Sequence, residues 1–398
     1  LTITAEDKSK SYDGIAFTAF TSTFSGFVNG ENEAVLGGAL TYAGDAATAT
    51  NAGTYTITPT GVTSDNYEIS FVDGSLEIGK AALTVTADDK AKTYDGSAFT
   101  AFTSTFSGFV NGEDATVLGG ALTYSGAATT ATNAGTYTIT PQGVTSDNYE
   151  ITFVNGSLEI GKAALTVTAD DKAKTYDGSG FTAFTSTYSG FVNGEDETAL
   201  TGTLTYTGTA ATAVNGGTHT ITPQGITSNN YEIDFVDGSL VISKVPLTIT
   251  AEDKSKSYDG SAFTGFTSTY SGFVNGEDET ALTGTLTYTG TAATAVNGGT
   301  HTITPQGITS NNYEIDFVDG SLVISKVPLT ITAEDKSKSY DGIAFTAFTS
   351  TFSGFVNGEN EAVLGGALTY AGDAATATNA GTYTITPTGV TSDNYEIS

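Results

Sequence analysis

The chain repeats itself every 82 residues, and that period limits what it can fold into more than any other feature. The pentapeptide Lys10–Gly14, KSYDG, returns as KTYDG from Lys92 and Lys174 and as KSYDG from Lys256 and Lys338. Copies begin at Leu1, Leu83, Leu165, Leu247 and Leu329, and the fifth stops at Ser398 after 70 residues. The expected domains are 1–80, 83–162, 165–244, 247–326 and 329–398, the last without its closing strand. Units of this size enclose a modest core and are only marginally stable alone. Residues 1–70 and 329–398 are identical letter for letter, as are 185–246 and 267–328. The first pair lies four periods apart, which points to a longer array grown by duplicating four-copy blocks. Leu1 and the short fifth copy read as marks of an excerpt from such a chain. Recent copying explains identity without a shared site, so the recurrence of Tyr-Asp-Gly is weak evidence for chemistry.

Within a copy the pattern is that of half-buried strands. LTITAED alternates Leu1 and Ile3 with threonines, GTYTITPTG sets Tyr55 and Ile57 against Thr54, Thr56 and Thr58, and NYEISF alternates Tyr67, Ile69 and Phe71 with polar residues. SLEI follows, and the step before it, VDGS from Val72 or VNGS from Val154, favours a two-residue hairpin. FTAFTSTFSGF spaces Phe17, Phe20, Phe24 and Phe27 like a helix face, but its Thr, Ser and Gly filler suits a bent strand with Phe20 and Phe24 on one face. NGENEAVLGG has room for one helical turn. Six or seven strands per copy and no long helix are expected, with Phe20, Phe24, Tyr55, Ile57, Tyr67 and Ile69 in the core. Two to four residues join one copy to the next, and Pro246 and Pro328 stiffen two of these joins. The fold class is therefore all-β: five small β-sandwich or β-grasp-like domains in tandem, forming an extended rod. At ~30 Å per compact copy the rod would span on the order of 150 Å.

Composition removes several classes of function. The chain has 44 acidic residues against 14 basic ones, a net charge of -30, and every base is Lys. A field of that sign repels nucleic acid and anionic membranes, and it keeps a long molecule soluble. There is no Cys, so stability must come from the sheets or from other cross-links. No leader-like segment opens the chain, and no apolar run approaches the ~20 residues of a membrane helix.

The segments KTYDGSAFTAFTSTFSGFVNGED, from Lys92, and NAGTYTITPQGVTSDNYEITFVNGSLEIGKA, from Asn133, resemble the MBG ("mostly beta, glycine-rich") repeat. Its YGX type opens with Lys-Thr-Tyr-Gly and continues through an LVNGD-like segment, NVGTY and SNYxIxYxxGxLTI; related repeats carry Tyr-Asp-Gly, as here. The match runs along essentially the whole copy, five times over. The resemblance implies a tandem stalk segment of a very large secreted adhesin on a bacterial cell surface, with neighbouring repeats of the same chain as its partners. It supplies no catalytic residues.

Candidate chemistry is sparse. The Tyr-Asp-Gly triplet reads as a turn in which Asp13 bonds local backbone, Gly14 takes a positive φ and Tyr12 caps the sheet edge; a sugar contact through Tyr12 and Asp13 is the functional alternative. Structural calcium needs converging oxygens, and the first candidates are Glu6, Asp7 and Asp13 with Asp88, Asp89, Asp95, Asp170, Asp171 and Asp177 in the next two copies. Further acids lie in NGENE from Asn29, NGEDE from Asn193 and SDNYE from Ser64, and none follows an EF-hand pattern. His219 and His301 replace the tyrosines Tyr55, Tyr137 and Tyr383, which marks them as strand side chains and leaves no Ser-His-Asp set. Lys8, Lys10 and Lys80 with Asn29, Asn51 and Asn66 offer the ingredients of an isopeptide cross-link, and threonine rows are the wet face of a strand. The reading is a non-enzymatic adhesin stalk; the alternative is a repeated weak module for glycans or abiotic surfaces, acting by avidity.

Overall fold

A computed structural model describes all 398 residues. Copy one folds into seven strands: β1 (Thr2–Ala5), β2 (Lys8–Ser11), β3 (Ser22–Ser25), β4 (Gly37–Ala43), β5 (Gly53–Thr63), β6 (Ser70–Val72) and β7 (Gly74–Gly79). The only helices are 3-10 turns of three or four residues, and none is long and apolar enough to cross a membrane. One of them, Glu33–Val35, is the turn expected in NGENEAVLGG, with the Asn32 side chain accepting from the Ala34 N–H. The fold is all-β, and the five copies are its units.

Each copy carries two small sheets. In copies one to four, in the numbering of copy one, the first has the order β3-β1-β6 and the second β2-β7-β5-β4; in copy five the second has two strands, the counterparts of β4 and β5. β1 runs antiparallel to β3 and parallel to β6, so that Ile3 faces Phe24 on one side and Phe71 on the other. In the second sheet β7 lies parallel to β2 and antiparallel to the first half of β5, whose second half pairs with β4. Alternation does what the sequence asks: along β5, Ile57 is buried while Thr54 and Thr56 face water.

The expected hairpin at VDGS does not form. β6 and β7 belong to different sheets, each running parallel to a strand from the start of the copy. The Asp73–Gly74 step is instead a crossing, where the chain leaves one sheet for the other. A Cβ on Gly74 would come within 2.6 Å of the Ala5 carbonyl oxygen, so this close approach needs glycine. Asp7 makes the matching step on the neighbouring strand pair and locks the crossing: its carboxylate accepts from the Ser75 N–H at 2.7 Å and from Ser75 Oγ at 2.9 Å.

Packing divides a copy into a leading lobe (β3-β1-β6 with the second half of β5 and the start of β4) and a trailing lobe (β2, β7, the first half of β5 and the end of β4, with Tyr42). Only Ser22–Ser25 of the Phe-rich segment is strand, and Phe20 and Phe24 do not share a face. Phe20 packs on Phe17 and Tyr42 at centroid distances of 5.1 and 5.3 Å, in the trailing lobe. Phe24 stacks on Phe27 at 6.1 Å, in the leading lobe. The chain passes from one lobe to the other between them, which the three-and-four spacing cannot distinguish from a bent strand.

By contacts the molecule divides into two compact units, and the division runs through the middle of copy three. Residues 165–168, 187–205 and 224–236 go with copies one and two; the remainder of copy three goes with copies four and five. Copy five lacks the counterpart of FVDGSLEIGK, which predicts that Tyr395–Ser398 loses its hairpin partner and that the copy frays there; the strand nevertheless forms. Tyr395–Ile397 is a strand, paired with Val327–Leu329, and Tyr395 is buried. The segment without a counterpart takes in the end of β6 and all of β7, and the two strands that flank β7 in copy one differ here: residues 336–339 form no strand, and the counterpart of β5 is Thr386–Thr391.

Candidate functional site at the joints between copies

The largest buried side chains are tyrosines, and they sit where one copy meets the next. The trailing-lobe core of copy one contains Tyr12, Ile57, Leu76 and Ile78, and the same cluster contains Ala81, Leu83 and Tyr149 from copy two. Copies two, three and four close their trailing lobes in the same way, on Tyr231, Tyr313 and Tyr395 of the copy that follows. Each trailing core is therefore shared. With burial worth about 1.5–3 kcal/mol per large apolar side chain, a lobe deprived of its neighbour loses several such contributions.

A polar clamp sits at the centre of each joint. Tyr12 Oη donates to Glu113 Oε1 at 2.6 Å, and Tyr149 Oη donates to Glu113 Oε2 at 2.5 Å. The Val110 N–H donates to Tyr149 Oη at 3.1 Å, and the two rings meet edge-on at 5.4 Å. The pattern recurs as Tyr94–Glu195–Tyr231, Tyr176–Glu277–Tyr313 and Tyr258–Glu359–Tyr395. The hydrogen bond to Glu113, with burial second, pushes the Tyr12 phenol up to about 12, and Tyr94 is raised to about 12 in the same way. For Tyr176 and Tyr258, also at about 12, burial leads and the glutamate bond follows.

Around the clamp the backbone is tied directly. Only Lys80 separates the last strand of copy one, ending at Gly79, from the first strand of copy two, starting at Ala81. The Ala81 N–H donates to the Asn148 carbonyl at 3.0 Å, and Lys80 Nζ donates to the Ser146 carbonyl at 2.8 Å. Asn148 bridges back into copy one, accepting from the Ala52 N–H at 2.9 Å and donating to Asn51 Oδ1 at 3.2 Å. Pro246 and Pro328 lie inside the first strands of their copies rather than in a linker.

The Tyr-Asp-Gly triplet is thus a joint, with a different task for each residue. Asp13 makes the local turn, accepting from the Ile15 N–H at 2.9 Å and pairing with Lys10 at 2.5 Å. Gly14 has φ +69°, and a Cβ there would lie 2.8 Å from Asn111 Nδ2 of the next copy. Tyr12 leaves its own sheet edge and reaches the next copy. The glutamate of the NGE turn and the tyrosine of the NY segment complete the joint. Sequence alone presents the first as one acid of a cluster and the second as a core residue, because Tyr12 lies 101 residues from the glutamate it meets.

The calcium candidates are placed apart, each on its own partners. Glu6 accepts from Thr21 and from Lys8, with Thr21 leading in holding its carboxyl below the usual range. Asp88 does so with Thr103 and Thr105. Asp170 accepts from Thr185. Asp7, Asp89 and Asp171 hold the crossings through Ser75, Ser157 and Ser239. Asp13, Asp95 and Asp177 pair with Lys10, Lys92 and Lys174, and that lysine is the first cause that brings Asp177 to about 2. No group of three or more acids or histidines is gathered as a metal site. Lys8, Lys10 and Lys80 are engaged with Glu6, with Asp13 and with the Ser146 carbonyl. His219 Nε2 bonds the Asn215 carbonyl at 2.9 Å, as Tyr55 Oη bonds that of Asn51 at 2.9 Å.

The model of the MBG domain (YGX type) matches residues 1–77, 83–159, 165–241, 247–323 and 329–398. The chain belongs to the MBG family. In these terms it is a tandem array of MBG modules, and the joint described above is a joint between such modules. No curated protein matches the sequence. Among solved structures, Drosophila N-cadherin EC1-4 is similar at 8% identity and a TM-score of 0.24, over 69% of this chain and 83% of that one. Domains 4–9 of the surface layer protein SbsC are similar at 11% identity and a TM-score of 0.19, over 81% of this chain and 60% of that one. Similarity at this level carries no conclusion about fold or function.

Proposed function

We propose that this MBG array is a structural stalk segment of a giant bacterial cell-surface adhesin, extracellular and non-enzymatic, which extends a distal binding region. The observation that carries the reading is the shared core: every trailing lobe that has a following copy is closed by it, around a Tyr–Glu–Tyr clamp. A joint with one connecting residue and a common core resists bending better than a free linker, because bending must open a packed interface. A net charge of -30 disfavours collapse and side-by-side bundling of such segments. The partners on this reading are neighbouring modules of the same longer chain.

Small-angle scattering of the five-copy chain, in calcium and then in EDTA, tests the proposal. A long thin particle in both solutions is expected, because side chains alone build the joints. Extension only in calcium would return the acids at Glu6, Asp7 and Asp13 to the role of metal ligands, and a compact particle in both would overturn the stalk. Glycan binding that falls steeply as copies are removed would make the array a binding module instead.

A further inference from the structure

Each joint sets two tyrosine rings against each other, and such a pair has a chemistry that a Phe–Tyr contact lacks. The ring centroids lie 5.4 Å apart for Tyr12 and Tyr149, 5.5 Å for Tyr94 and Tyr231, and 5.6 Å for both Tyr176–Tyr313 and Tyr258–Tyr395. Both hydroxyls of a pair donate to the two oxygens of one carboxylate, so the ring edges that carry them converge. Within a copy, by contrast, Tyr42 and Tyr124 lie against Phe20 and Phe102. A phenol gives up an electron more readily when its proton can pass at the same moment to a hydrogen-bonded base, and here that base stands ready for both partners. Tyr12 and Tyr149 are 5% and 1% exposed, but Glu113 is half-buried, so the clamp meets solvent at its carboxylate and the proton has a way out.

We propose that each joint is an oxidative cross-linking site, at which a diffusible one-electron oxidant joins the paired tyrosines as dityrosine. Each phenol gives its electron to the oxidant and its hydroxyl proton, through the glutamate, to water. The two phenoxyl radicals then combine, forming one carbon–carbon bond between ring positions next to the hydroxyls. Each of those carbons loses its hydrogen as a proton, and the oxygens are reprotonated as the rings become aromatic again. Two tyrosines and one hydrogen peroxide, which takes up two electrons and two protons, give one dityrosine and two waters. The links overlap along the chain, because Tyr94 lies between Tyr12 and Tyr149, so a linked joint opens only if a covalent bond breaks. The site follows from the geometry of the joint and does not rest on the stalk reading.

The test illuminates the dilute 398-residue chain with tris(bipyridyl)ruthenium(II) and persulfate, a cationic sensitiser that the net charge of -30 attracts and an acceptor for the electrons. Digestion and mass mapping should recover Tyr12–Tyr149, Tyr94–Tyr231, Tyr176–Tyr313 and Tyr258–Tyr395 as the main linked pairs, with two hydrogens lost per link. The same chain unfolded in urea should lose that selectivity. Tyr149→Phe should remove the first pair and leave the other three. Glu113→Gln should cut the yield of the first pair at least about tenfold, measured against the other three in the same chain. Links mainly at other tyrosines or between chains, or an undiminished first pair in Glu113→Gln, would overturn the proposal. A particle that is compact by scattering and still couples these pairs would remove the stalk reading and leave this one.

Discussion

Residues 1–70 and 329–398 have the same sequence and adopt different structures at opposite ends. In the first stretch Lys8–Ser11 is a strand, β5 runs for 11 residues and Tyr12 is buried. In the second the equivalent of β2 is irregular, the equivalent of β5 is 6 residues long and Tyr340 is exposed. The leading lobes differ in the opposite sense: Tyr395, clamped with Tyr258 on Glu359, is 1% exposed, whereas Tyr67 is half-buried, with Glu31 as its acceptor. Each stretch is complete on the side where it has a neighbour. Local sequence therefore sets the strands that can form, and contacts beyond the stretch decide which of them do.

The strongest way to break this contrast is to remove the neighbour from inside. Leu158→Asp places a charge at a fully buried position of copy two. It should cost more than about 4 kcal/mol locally and make Tyr94 as accessible as Tyr340, as read by tyrosine iodination followed by peptide mapping. Copy one should keep its protection.

Alkaline pH should open all four joints together. Tyr12, Tyr94, Tyr176 and Tyr258 titrate at about 12 in the folded chain against 10.0 ordinarily. A raised folded pKa contributes stability that is complete below pH ~10 and is lost as pH rises through about 12. Near-ultraviolet circular dichroism should therefore collapse within that window, in step with the last tyrosinate absorbance. Collapse well below pH 10 would mean that the clamps do not hold the joints.

A smaller effect separates clamped from unclamped glutamates. Glu113→Ala leaves two buried phenols without their acceptor and should cost about 1–3 kcal/mol at the first joint. Glu31→Ala, which touches Tyr67 alone, should cost less than about 1 kcal/mol, with both read by denaturant titration. Smallest of all is Asp95→Asn. It removes the charge of a half-exposed carboxylate paired with Lys92 and should leave the unfolding midpoint almost unchanged, although its neighbour Tyr94 belongs to the clamp.

Much of this was legible in the sequence. Period-two alternation located the strands and named Ile57, and Gly14 and Asp13 behave as a turn pair should. The hairpin at Asp73–Gly74 failed because an Asp-Gly step records a backbone that must turn or approach closely, without saying which. Tyr12 and the acids of the NGE turns are visible separately, but a contact between copies leaves no periodic trace within one copy. Recent duplication removes the remaining clue, since identical copies make a clamp residue and a bystander equally constant.

The central claim is that a core belongs to two copies, and one variant tests it directly. Tyr149 is encoded in copy two but packs into the core of copy one. Tyr149→Ala should cost about 3–5 kcal/mol. Hydrogen exchange should show where that loss falls, because Phe71–Lys80 and Phe153–Lys162 differ only at Asp73 and Asn155 and can be told apart by mass. The account predicts that Phe71–Lys80, in copy one, loses its protection while Phe153–Lys162, in the mutated copy, keeps it; loss confined to Phe153–Lys162 would contradict it.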